Sequence, residues 1–577
     1  MRLVIATLIF ATFVCASSCS RIFNKSNSPK SAIDSVADIS NGITFTDITV
    51  SSGITWRHCN GAFGQMYLPE IKGSGCAIID YNNDGWPDLL FVNSMHWPGH
   101  TTLQEPTMAL YRNNRDGTFT DVTKECGLAI PLFGMGVTVG DYDNDGWDDI
   151  FITAYGHNHL FHNDKGVFTD VTQKAGLAGD SNWHSSAMFL DYDNDGKLDL
   201  FVCSYCGWTP ENDIFYSLGG NVKTYGAPDV YPALTNHLYH NNGNGTFTDV
   251  TRKSGIYNMN GKALAVAMCD FNDDGYPDIV VACDDTDNML YRNNTDGTFT
   301  NIANHAGIAY DINTGKRRSG MGVDCGDLDN DGKTSIVIGN FYTEPDWVYK
   351  QTGPDTFVDC AAKRGIDTIT RTVLKFAVTI ADFDHDGFLD FLTADGHVRV
   401  IDEFHSNKVK FREPMQLFRN LGNGKFAEIV SLMHGPMQNN ILGRGIALGD
   451  LFNSGNEDVV VTTNDSTPMV LRNDTKNGNS YLEVHLCGVH ANRDGIGAKI
   501  TAICPNWRQV QFVHSGSSYA SASELDVNFG MGKNKRVDTL IVRWGAHSID
   551  TLTNIPTQQS ILITENKREY STISPQR

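Results

Sequence analysis

An acidic nine-residue string recurs seven times along the chain and constrains the fold more than any other feature of the sequence. One copy, DYDNDGWDD, occupies Asp141–Asp149. The other copies begin at Asp80, Asp191, Asp270, Asp327, Asp382 and Asp450. A single string of this kind is weak evidence, since short acidic loops arise by chance. Seven copies at intervals of about 50 to 80 residues indicate a repeat architecture.

A second string alternates with the first and predicts one strand of each repeat. Its copies alternate apolar and polar residues, the period-2 pattern of a half-buried strand, and they begin at Ile43, Thr118, Val167, Thr246, Thr298, Thr356 and Lys425. In the second repeat, the runs GVTVGD, DDIFITAY, HLFHN and VFTDVT predict four strands, with the acidic string between the first two. Repeated four-stranded units are typical of a β-propeller, in which each unit is one blade.

The order of the two strings predicts how the ring closes. The chain opens with a strand at Ile43–Ile48, whereas the last acidic string, at Asp450, is followed by PMVLRND and no fourth strand. We expect the opening strand to complete the last unit, because this pairing removes an exposed sheet edge at each end. The predicted fold is all-β: a seven-bladed β-propeller over residues 41–475, followed by a small β-sandwich-like domain over residues 476–570.

Six of the acidic strings have the oxygen-ligand spacing of a calcium loop. Asp or Asn stands at positions 1, 3 and 5, Gly at position 6 permits a sharp turn, and positions 7 and 9 add a backbone carbonyl and, in five strings, an Asp. Mg²⁺ fits less well, because it prefers a tighter octahedron with retained waters. The predicted Ca²⁺ ligands are Asp80, Asn82, Asp84, Trp86, Asp88, Asp141, Asp143, Asp145, Trp147, Asp149, Asp191, Asp193, Asp195, Lys197, Asp199, Asp270, Asn272, Asp274, Tyr276, Asp278, Asp327, Asp329, Asp331, Lys333, Asp382, Asp384, Asp386, Phe388 and Asp390.

An EF-hand and an acidic turn without metal are two other interpretations of these strings. An EF-hand requires a bidentate Glu at position 12 and flanking helices, and these strings have apolar residues or Thr there and strand-like flanks. Acidic turns that bind no metal remain an open alternative. The seventh string carries Phe452 and Ser454 at positions 3 and 5, so we expect no tight calcium there. Ser335 at position 9 of the fifth string predicts weaker binding.

Composition and charge limit the possible partners. Hydrophobic residues make up 41% and charged residues 19% of the 577 residues, which is typical of a folded globular protein. The net charge of −22 argues against nucleic acid as a partner, because no basic field is available to bind phosphates.

The first residues resemble a bacterial export signal. Arg2 precedes an apolar run, Leu3–Val14, which is too short to span a bilayer. The run leads into ASSC, which resembles a lipobox with Cys19 as the lipidated residue, and cleavage without lipidation is the alternative. Residues 20–40 are polar and aperiodic, which predicts a tether. The expected location is extracytoplasmic, either as an outer-membrane or cell-surface lipoprotein held only by its lipid anchor or as a secreted protein.

After Lys476 the repeat ends and a second β module is predicted. The runs YLEVHLCGV, GAKITAICP, RQVQFVHSG, LDVNFGMG, DTLIVRWG and SILITE read as six strands separated by Gly, Asn and Asp turns. Cys487 and Cys504 lie on predicted neighbouring strands, where a disulfide is one possibility and two free thiols the other.

Several of these motifs resemble a known family. The acidic strings resemble the FG-GAP or VCBS-type repeats of integrin α-subunit propellers. NRDGIGAKI (Asn492–Ile500), FGMG (Phe529–Gly532) and VDTLIVRW (Val537–Trp544) resemble the ASPIC/UnbV domain. RHCNG, LPEIKGSGCAIIDYNNDG and RGIALGD are similar to bacterial members of the cartilage acidic protein family, whereas WGAHS departs from the Trp-Pro-x-Gly turn usual there. The resemblance implies extracellular calcium binding and adhesion, and no established enzymatic activity.

Long connections on one face indicate where a partner would bind. The predicted strand order puts the connections after the second and fourth strands on the face opposite the acidic strings, and the long ones, residues 93–106, 204–236 and 395–414, fall there. The candidate ligand-facing residues are His58, Glu70, Trp97, His184, Trp208, Tyr231 and His397. We expect most of the aromatic rings in these connections to pack the loops against each other.

Two functions fit this organisation. The first is a binding or adhesion platform for an extracellular protein or glycan, with Ca²⁺ as a structural support. The alternative is a calcium-dependent, polysaccharide-active enzyme of the lyase type, with His58, Glu70, His184 and Arg371 as candidate catalytic groups. The sequence contains no nucleophile elbow, HExxH or phosphate loop, which favours binding over catalysis.

Overall fold

A computed structural model describes residues 39–100, 105–179, 181–217, 221–399, 410–505, 507–546 and 548–573. The predicted export signal, the candidate lipidation site Cys19 and nearly all of the predicted tether lie outside these residues. Within the described ranges, no helix is long and apolar enough to cross a membrane.

The repeat region forms seven four-stranded antiparallel sheets in the described part of the chain, numbered by the order of their inner strands. Strand β1 (Phe45–Asp47) belongs to sheet 7. Sheet 1 contains β2 (Cys76–Ile79), β3 (Asp88–Phe91), β4 (Ala109–Asn113) and β5 (Phe119–Asp121); sheet 2 contains β6 (Gly134–Gly140), β7 (Asp149–Ala154), β8 (His159–Asp164) and β9 (Val167–Asp170); sheet 3 contains β10 (His184–Leu190), β11 (Asp199–Ser204), β12 (His237–Asn241) and β13 (Phe247–Asp249).

The remaining four sheets follow the same order from the inner strand outwards. Sheet 4 contains β14 (Ala263–Cys269), β15 (Asp278–Cys283), β16 (Met289–Asn293) and β17 (Phe299–Asn301); sheet 5 contains β18 (Val323–Gly326), β19 (Ser335–Ile338), β20 (Trp347–Gly353) and β21 (Thr356–Asp359); sheet 6 contains β22 (Lys375–Ala381), β23 (Asp390–Asp395), β24 (Gln416–Asn420) and β25 (Phe426–Glu428); sheet 7 contains β26 (Gly443–Gly449), β27 (Asp458–Thr463), β28 (Met469–Asn473) and β1.

Burial of the strands decreases from the axis outwards. Every residue of β6 and β7 is buried, in keeping with their nearly continuous runs of apolar and small residues. The outer strand β9 buries Phe168 and exposes its other three residues. Phe168 is therefore the residue of this strand that faces the core.

The ring closes through the first strand of the chain. Strand β1 pairs antiparallel with β28, with Phe45 opposite Asn473 and Asp47 opposite Leu471. The inner strands contact one another in a closed circuit, from β2 through β6, β10, β14, β18, β22 and β26 back to β2. The opening strand therefore completes the last sheet as expected, and the sheets form a β-propeller.

Short helices lie only in the connections of the described chain. The α-helices are single turns, α1 (Thr172–Ala175), α2 (Ala303–Ala306), α3 (Ala361–Arg364) and α4 (Asp367–Thr370), and the 3-10 helices are Leu68–Ile71, Pro228–Val230 and Pro436–Gln438. Helix α1 ends at Gly176, whose φ of 78° is the left-handed conformation that glycine adopts without strain.

The C-terminal domain consists of two four-stranded sheets. One contains β29 (Ser480–Cys487), β32 (Val527–Gly532), β35 (Gln559–Thr564) and β36 (Tyr570–Ile573), and the other contains β30 (Lys499–Cys504), β31 (Trp507–Phe512), β33 (Arg536–Trp544) and β34 (Ser548–Pro556). Strands β34 and β36 are additional to the six predicted from the sequence. Cys487 and Cys504 lie in different sheets, and both are free thiols.

The C-terminal domain sends a loop into the axis of the propeller. We call residues 513–525, between β31 and β32, the axial loop. Ala522 of this loop forms a β-bridge with Ala77 of the inner strand β2. Tyr519 is 1% exposed, and its hydroxyl donates to Lys72 O at 2.7 Å. The domain expected to follow the propeller as a separate module therefore contributes to the propeller core.

Small residues on the inner strands make room for the axial loop. A Cβ on Gly136 of β6 would lie 2.6 Å from Ser185 O and 3.0 Å from the Cα of Ala520. Both neighbours are backbone atoms, so they cannot move aside as a flexible side chain would. Glycine at this position is therefore required by the close approach of β6, β10 and the axial loop.

Filling this space should destabilise the protein. We expect Gly136→Ala to lower the free energy of unfolding by about 1–3 kcal/mol, because overpacking displaces backbone on both sides. Gly226→Ala is the matched control, since its Cβ would meet only the Tyr216 Cβ, at 3.9 Å, and should change stability by less than about 0.5 kcal/mol. Urea unfolding at constant calcium concentration measures both, and equal effects would contradict this account of the axis.

Candidate metal centres and an axial polar cluster

Each acidic loop is a tight turn built around its first carboxylate. In the first loop, Asp80 accepts the N–H groups of Asp84 and Gly85 at 3.0 and 2.7 Å. Asn83 and Gly85 adopt left-handed conformations, with φ of 51° and 79°, which Asn and Gly tolerate best. The same pair of hydrogen bonds recurs at Asp141, Asp191, Asp270, Asp327, Asp382 and Asp450.

The carboxylate at position 9 ties the loop to the third strand of its sheet. Asp149 accepts the N–H of Tyr142 at 3.2 Å on one oxygen and the N–H of Asn163 at 2.8 Å on the other. Asp149 is fully buried, and burial raises its pKa to about 7. The predicted metal ligand at this position therefore also has a structural role, and each oxygen keeps lone-pair capacity for a cation.

The second and third loops bring three carboxylates together. Oxygens of Asp141, Asp143 and Asp149 lie within 4.8 Å of one another. The same holds in the third loop for Asp191, Asp193 and Asp195. Burial, followed by the neighbouring charge of Asp494, raises the pKa of Asp141 to about 8. Hard, negatively charged oxygens at this spacing are ligands that suit Ca²⁺.

A histidine borders each of these two clusters. His162 Nδ1 lies 3.2 Å from Asp149 Oδ1 and 3.5 Å from Asp143 Oδ2. His240 occupies the equivalent place in the third loop, 3.1 Å from Asp199 Oδ1. The hydrogen bond to Asp149 raises the pKa of His162 to about 9, so an imidazolium offsets part of the loop's charge. A metal ion in the loop would compete with this proton.

Basic side chains form ion pairs with carboxylates of the fifth and sixth loops. Lys350 Nζ lies 2.7 Å from Asp329 and 2.8 Å from Asp331. Arg419 bridges the carboxylates at positions 3 and 5 of the sixth loop, with both distances 2.5 Å. Ca²⁺ in these loops would have to displace a fixed cation, so we expect weaker binding there than in the second loop. The third loop is intermediate, because Lys197 Nζ pairs with Asp195.

The C-terminal domain supplies a hydrogen-bond acceptor to the seventh loop. Glu524 of the axial loop accepts the N–H of Asp450 at 2.9 Å. Ser454, at position 5, donates its hydroxyl to Asp450 Oδ1 at 3.2 Å. A neutral hydroxyl replaces a carboxylate at this position, in agreement with the sequence prediction of no tight calcium there, which stays a prediction.

Asparagine side chains join neighbouring loops into a belt. Asn83, at position 4 of the first loop, donates to Gly146 O, at position 6 of the second, at 2.7 Å. The equivalent bond starts from Asn144, Asn194, Asn330 and Asn453. Asp273 and His385 stand at position 4 in the other two loops, and Asp273 instead lies 2.9 Å from Arg543 Nη1 of the C-terminal domain. Position 4 is not among the residues predicted from the sequence, although Asn recurs there in five of the seven strings.

The C-terminal domain lies over the acidic-loop face of the propeller. Asp494 accepts a backbone N–H of the second loop at 2.7 Å, and Lys499 Nζ lies 2.8 Å from Asp273 of the fourth loop. Asn528 donates to a backbone carbonyl of the seventh loop at 2.8 Å. Metal ions in these loops would therefore sit between the propeller and its C-terminal domain.

The predicted ligand-facing residues are all buried. Their exposed fractions do not exceed 5% for His58, Glu70, Trp97, His184, Trp208, Tyr231 and His397. The ring centroids of Trp97 and Trp208 lie 5.7 Å apart, and Tyr67 lies 5.1 Å from each of them. These rings pack the long connections against one another, at distances typical of aromatic pairs.

Several of these residues surround a buried arginine. Arg444, in β26, is fully buried, and its Nε donates to Ile71 O, next to Glu70, at 2.9 Å. After burial, the charge of Arg444 is the largest cause that lowers the pKa of His58, and it also lowers that of His397. Arg444 is not among the residues predicted from the sequence. The sequence does contain a signal that could have indicated it, because Arg444 is the one charged residue in the inner-strand run GRGIALG.

The other candidate catalytic groups have separate partners. Arg371 Nη2 lies 3.2 Å from Asp367 Oδ1 at the surface. His184 Nδ1 lies 3.2 Å from Ser204 Oγ. The structure therefore groups His58 and Glu70 with Arg444, and it does not add Arg371 to them.

Family comparisons match the two regions of the chain separately. A model of the FG-GAP-like repeat matches residues 80–152, 141–202, 213–281, 270–338 and 327–393. The chain belongs to the FG-GAP-like repeat family. A model of the ASPIC and UnbV domain matches residues 488–569, so the C-terminal domain of this FG-GAP-like repeat protein is of that type.

Curated relatives of this FG-GAP-like repeat protein include cartilage acidic protein 1 from several vertebrates. The human protein is 26% identical over 281 residues, which cover 46% of this chain and 38% of the relative. The mouse protein is 22% identical over 377 residues, which cover 61% of this chain and 51% of the relative. The matched region thus spans about half or less of the length of these relatives.

Similar solved structures include lectins and a lyase. The BP39L lectin from Burkholderia pseudomallei has a TM-score of 0.40 and 11% identity, covering 70% of this chain and 96% of the lectin. An Agrocybe aegerita lectin that recognises non-reducing terminal N-acetylglucosamine has a TM-score of 0.36 and 16% identity, covering 70% and 91%. An exotype rhamnogalacturonan lyase has a TM-score of 0.30 and 13% identity, covering 68% and 71%. At these scores the similarities support no argument about function.

Calcium affinity should differ between the FG-GAP loops. We expect Asp143→Asn to weaken the tightest calcium binding about tenfold or more, because the second loop loses a charged ligand whose partner is the titratable His162 and not a lysine or arginine. Asp384→Asn is the matched control in the sixth loop, where Arg419 already holds the carboxylate, and should leave the tightest binding unchanged. Isothermal titration with CaCl₂ after chelation measures both. Equal losses would show that the loops are not ranked in this way.

The Asp141 carboxyl should contribute less to the stability of the metal-free protein as pH rises. Because burial raises the pKa of Asp141 from 3.8 to about 8, the folded state binds this proton more tightly than the unfolded state. Its contribution is therefore present below about pH 4 and is lost as pH rises to about 8. Saturating Ca²⁺ should remove this loss, since it favours the ionised carboxylate. Urea unfolding of the wild type and of Asp141→Asn in EDTA at stepped pH isolates this contribution, and a wild-type stability that does not fall relative to the variant over this range would refute it.

Proposed function

We propose that this protein is an extracytoplasmic, calcium-stabilised binding or adhesion platform for a protein or glycan partner. Ca²⁺ would occupy the acidic loops, the second first. The partner would bind the opposite face, where the long connections lie. The apolar run at Leu3–Val14 and the lipobox-like Cys19 support export, with anchoring by lipid or release as a secreted protein.

The clustering of carboxylates beneath the C-terminal domain is the observation that carries this proposal. Asp141, Asp143 and Asp149 place their oxygens within 4.8 Å of one another, and the backbone N–H of Asp141 is bound to Asp494 of the C-terminal domain at 2.7 Å. Like charges held this close repel unless protons or a cation offset them. Asp145 and the carbonyl of Trp147 would complete an oxygen set of the size that Ca²⁺ prefers.

The division of the molecule into two faces supports a binding role. The C-terminal domain contacts several of the acidic loops and covers part of their surface. The opposite face carries the long connections, which pack through Trp97 and Trp208. Loops held on a rigid scaffold are the usual position of binding sites. Calcium would then act on binding indirectly, by keeping the scaffold folded.

Calcium removal should therefore affect stability first and binding second. We expect the calcium-loaded protein to unfold at a clearly higher temperature than the EDTA-treated protein, since a ligand at 100 times its Kd adds about 2.7 kcal/mol. An equal concentration of MgCl₂ is the control and should restore less. Differential scanning calorimetry on the mature chain gives the comparison. Identical melting with EDTA and with CaCl₂ would overturn the calcium part of the proposal.

The partner can be sought with the same preparations. A glycan array and a panel of purified extracellular matrix proteins should yield a calcium-dependent binder whose affinity is retained in Asp384→Asn. Formation of unsaturated uronate products from acidic polysaccharides would instead favour the lyase-like alternative. Absence of both binding and turnover in the calcium-loaded protein would overturn the platform function.

A further inference from the structure

Five carboxylates lie close together where the C-terminal domain meets the seventh loop, and they share one basic side chain. They belong to the seventh loop, to strand β29 and to the end of the axial loop: Asp450, Glu457, Glu483, Glu524 and Asp526. Among the described residues, no Lys or Arg lies within 4.0 Å of any of these carboxylates, and His485 is their one basic partner. We call these five residues and His485 the junction cluster.

Strand β29 directs two members of the junction cluster toward the propeller. Glu483 and His485 are two residues apart, so their side chains leave the same face of the strand. Asn528, opposite Glu483 on β32, donates to Gly455 O of the seventh loop at 2.8 Å, which shows that this face lies on the propeller. Glu483 is 4% exposed, and the Ser560 hydroxyl donates to its Oε2. A buried, oriented carboxylate therefore faces the seventh loop.

The two nitrogens of His485 face different carboxylates. Nδ1 lies 2.6 Å from Asp526 Oδ1, whereas Nε2 lies 3.7 Å from Glu483 Oε2. The second distance is too long for a hydrogen bond, and Nε2 is buried without a hydrogen-bond partner among the described residues. Two ligands of one zinc ion, each about 2.0–2.1 Å from the metal at near-tetrahedral angles, lie about 3.3–3.7 Å apart. His485 Nε2 and Glu483 Oε2 thus have the spacing of two zinc ligands.

The histidine of the second loop lacks this arrangement. His162 faces both Asp143 and Asp149 with the same nitrogen, Nδ1, so a metal ion between them would have to break its hydrogen bond. His485 instead keeps its Nδ1 bond to Asp526 while Nε2 binds a metal. A carboxylate that holds one ring nitrogen and leaves the other for the metal is common at zinc sites.

A second buried histidine borders the junction cluster from the sixth loop. His385 is 5% exposed, and its Nε2 has no hydrogen-bond partner in the described chain. Its ring centroid lies 5.7 Å from that of Tyr481, whose side chain leaves the same face of β29 as Glu483. The ring is also within electrostatic reach of Glu483. An unpaired imidazole nitrogen is therefore present beside the buried carboxylate.

A cavity adjoins the junction cluster and gives room for an ion and water. Its volume is about 60 Å³, and its lining includes Glu457, Glu524, Asp526 and Asn528. One water needs about 10–15 Å³ of such space, so a metal ion with a bound water fits. No described residue donates a hydrogen bond to Glu457. The seventh loop therefore presents an unoccupied carboxylate to this cavity.

We propose that the junction cluster binds one zinc ion, with Glu483 and His485 as its ligands from β29 and Glu457 as its ligand from the propeller. Asp526 then orients His485, and Ser560 orients Glu483. The fourth position is filled by water, as at zinc sites with three protein ligands. Ca²⁺ fits this set less well, because it takes oxygen ligands, whereas zinc combines imidazole nitrogen with carboxylate oxygen.

Zinc at this place clamps the C-terminal domain to the propeller. The seventh loop carries Phe452 and Ser454 where the other loops carry ligands for their own ion, but its Glu457 faces the C-terminal domain. The loop least suited to calcium thus contributes to a site shared by two domains. This site differs from the calcium loops in its ion and in its ligands, so it does not depend on calcium binding.

Isothermal titration of the full-length protein with ZnCl₂, in saturating CaCl₂, tests the site. We expect the tightest zinc binding to have a stoichiometry of one ion per chain. His485→Gln should weaken it about 100-fold or more, because loss of a ligand costs at least as much as the 10–100-fold loss caused by removing a neighbouring group. His159→Gln is the matched control and should leave it unchanged, since His159 forms a similar pair with Asp170, at 2.7 Å, away from this junction.

A second variant retains every zinc ligand. Asp526→Asn has nearly unchanged volume and should weaken zinc binding about 10–100-fold, because it removes the carboxylate that orients His485. Zinc should also raise the melting temperature of the wild type and not that of His485→Gln, since the ion binds only the folded junction.

Three results would overturn the zinc site. The first is equal zinc affinity in His485→Gln and His159→Gln. The second is unchanged affinity in an Asp526→Asn protein that melts normally. The third is zinc binding that CaCl₂ abolishes, because this would place the zinc in the acidic loops. A protein that binds zinc as described but no calcium would uphold the junction site and overturn the calcium part of the proposed function.

Discussion

Repulsion between carboxylates in the acidic loops is the constraint on which the rest of this structure depends. Each loop folds its first Asp inwards to accept two backbone N–H groups, and this brings the other carboxylates close together. Asp141, Asp143 and Asp149 are stable as a group only if protons, a basic side chain or a metal ion offset their charge. The structure contains a titratable histidine, His162, at the second loop and a basic side chain, Arg419, at the sixth. We expect a metal ion to contribute most in the loops that lack a fixed cation.

The C-terminal domain couples the charge of the acidic loops to the rest of the molecule. It lies on the acidic loops, pairs Lys499 and Arg543 with Asp273, and passes its axial loop through the ring as far as Lys72 O. The loops are therefore the junction between two domains, and their charge state affects both. The opposite face carries no acidic loops, and the buried Arg444 lies at that end of β26.

Much of the fold follows from local sequence patterns. The acidic strings, the FTDVT strands and the unpaired strand at Phe45–Asp47 are periodic, so they predict the sheets and the closure. The axial loop is not predictable in this way, because HSGSSYASASEL has no periodicity and its place depends on space left by glycines such as Gly136 in other sheets. The same reason applies to the site. The carboxylates can be read from the spacing, but the pairing of Arg419 depends on strand register, and the isolation of Arg444 depends on which groups of other sheets surround it.

The most direct test of this account is a crystal structure grown in saturating CaCl₂, with anomalous scattering used to locate calcium. The account predicts anomalous density at about 2.3–2.6 Å from oxygens of Asp141 and Asp143, and from their equivalents in the third loop, with His162 turned away from the carboxylates. Weaker or absent density is expected where Arg419 bridges the sixth loop. A structure in which these loops hold only water, and His162 still bridges Asp143 and Asp149, would contradict the central claim that the loops are completed by calcium.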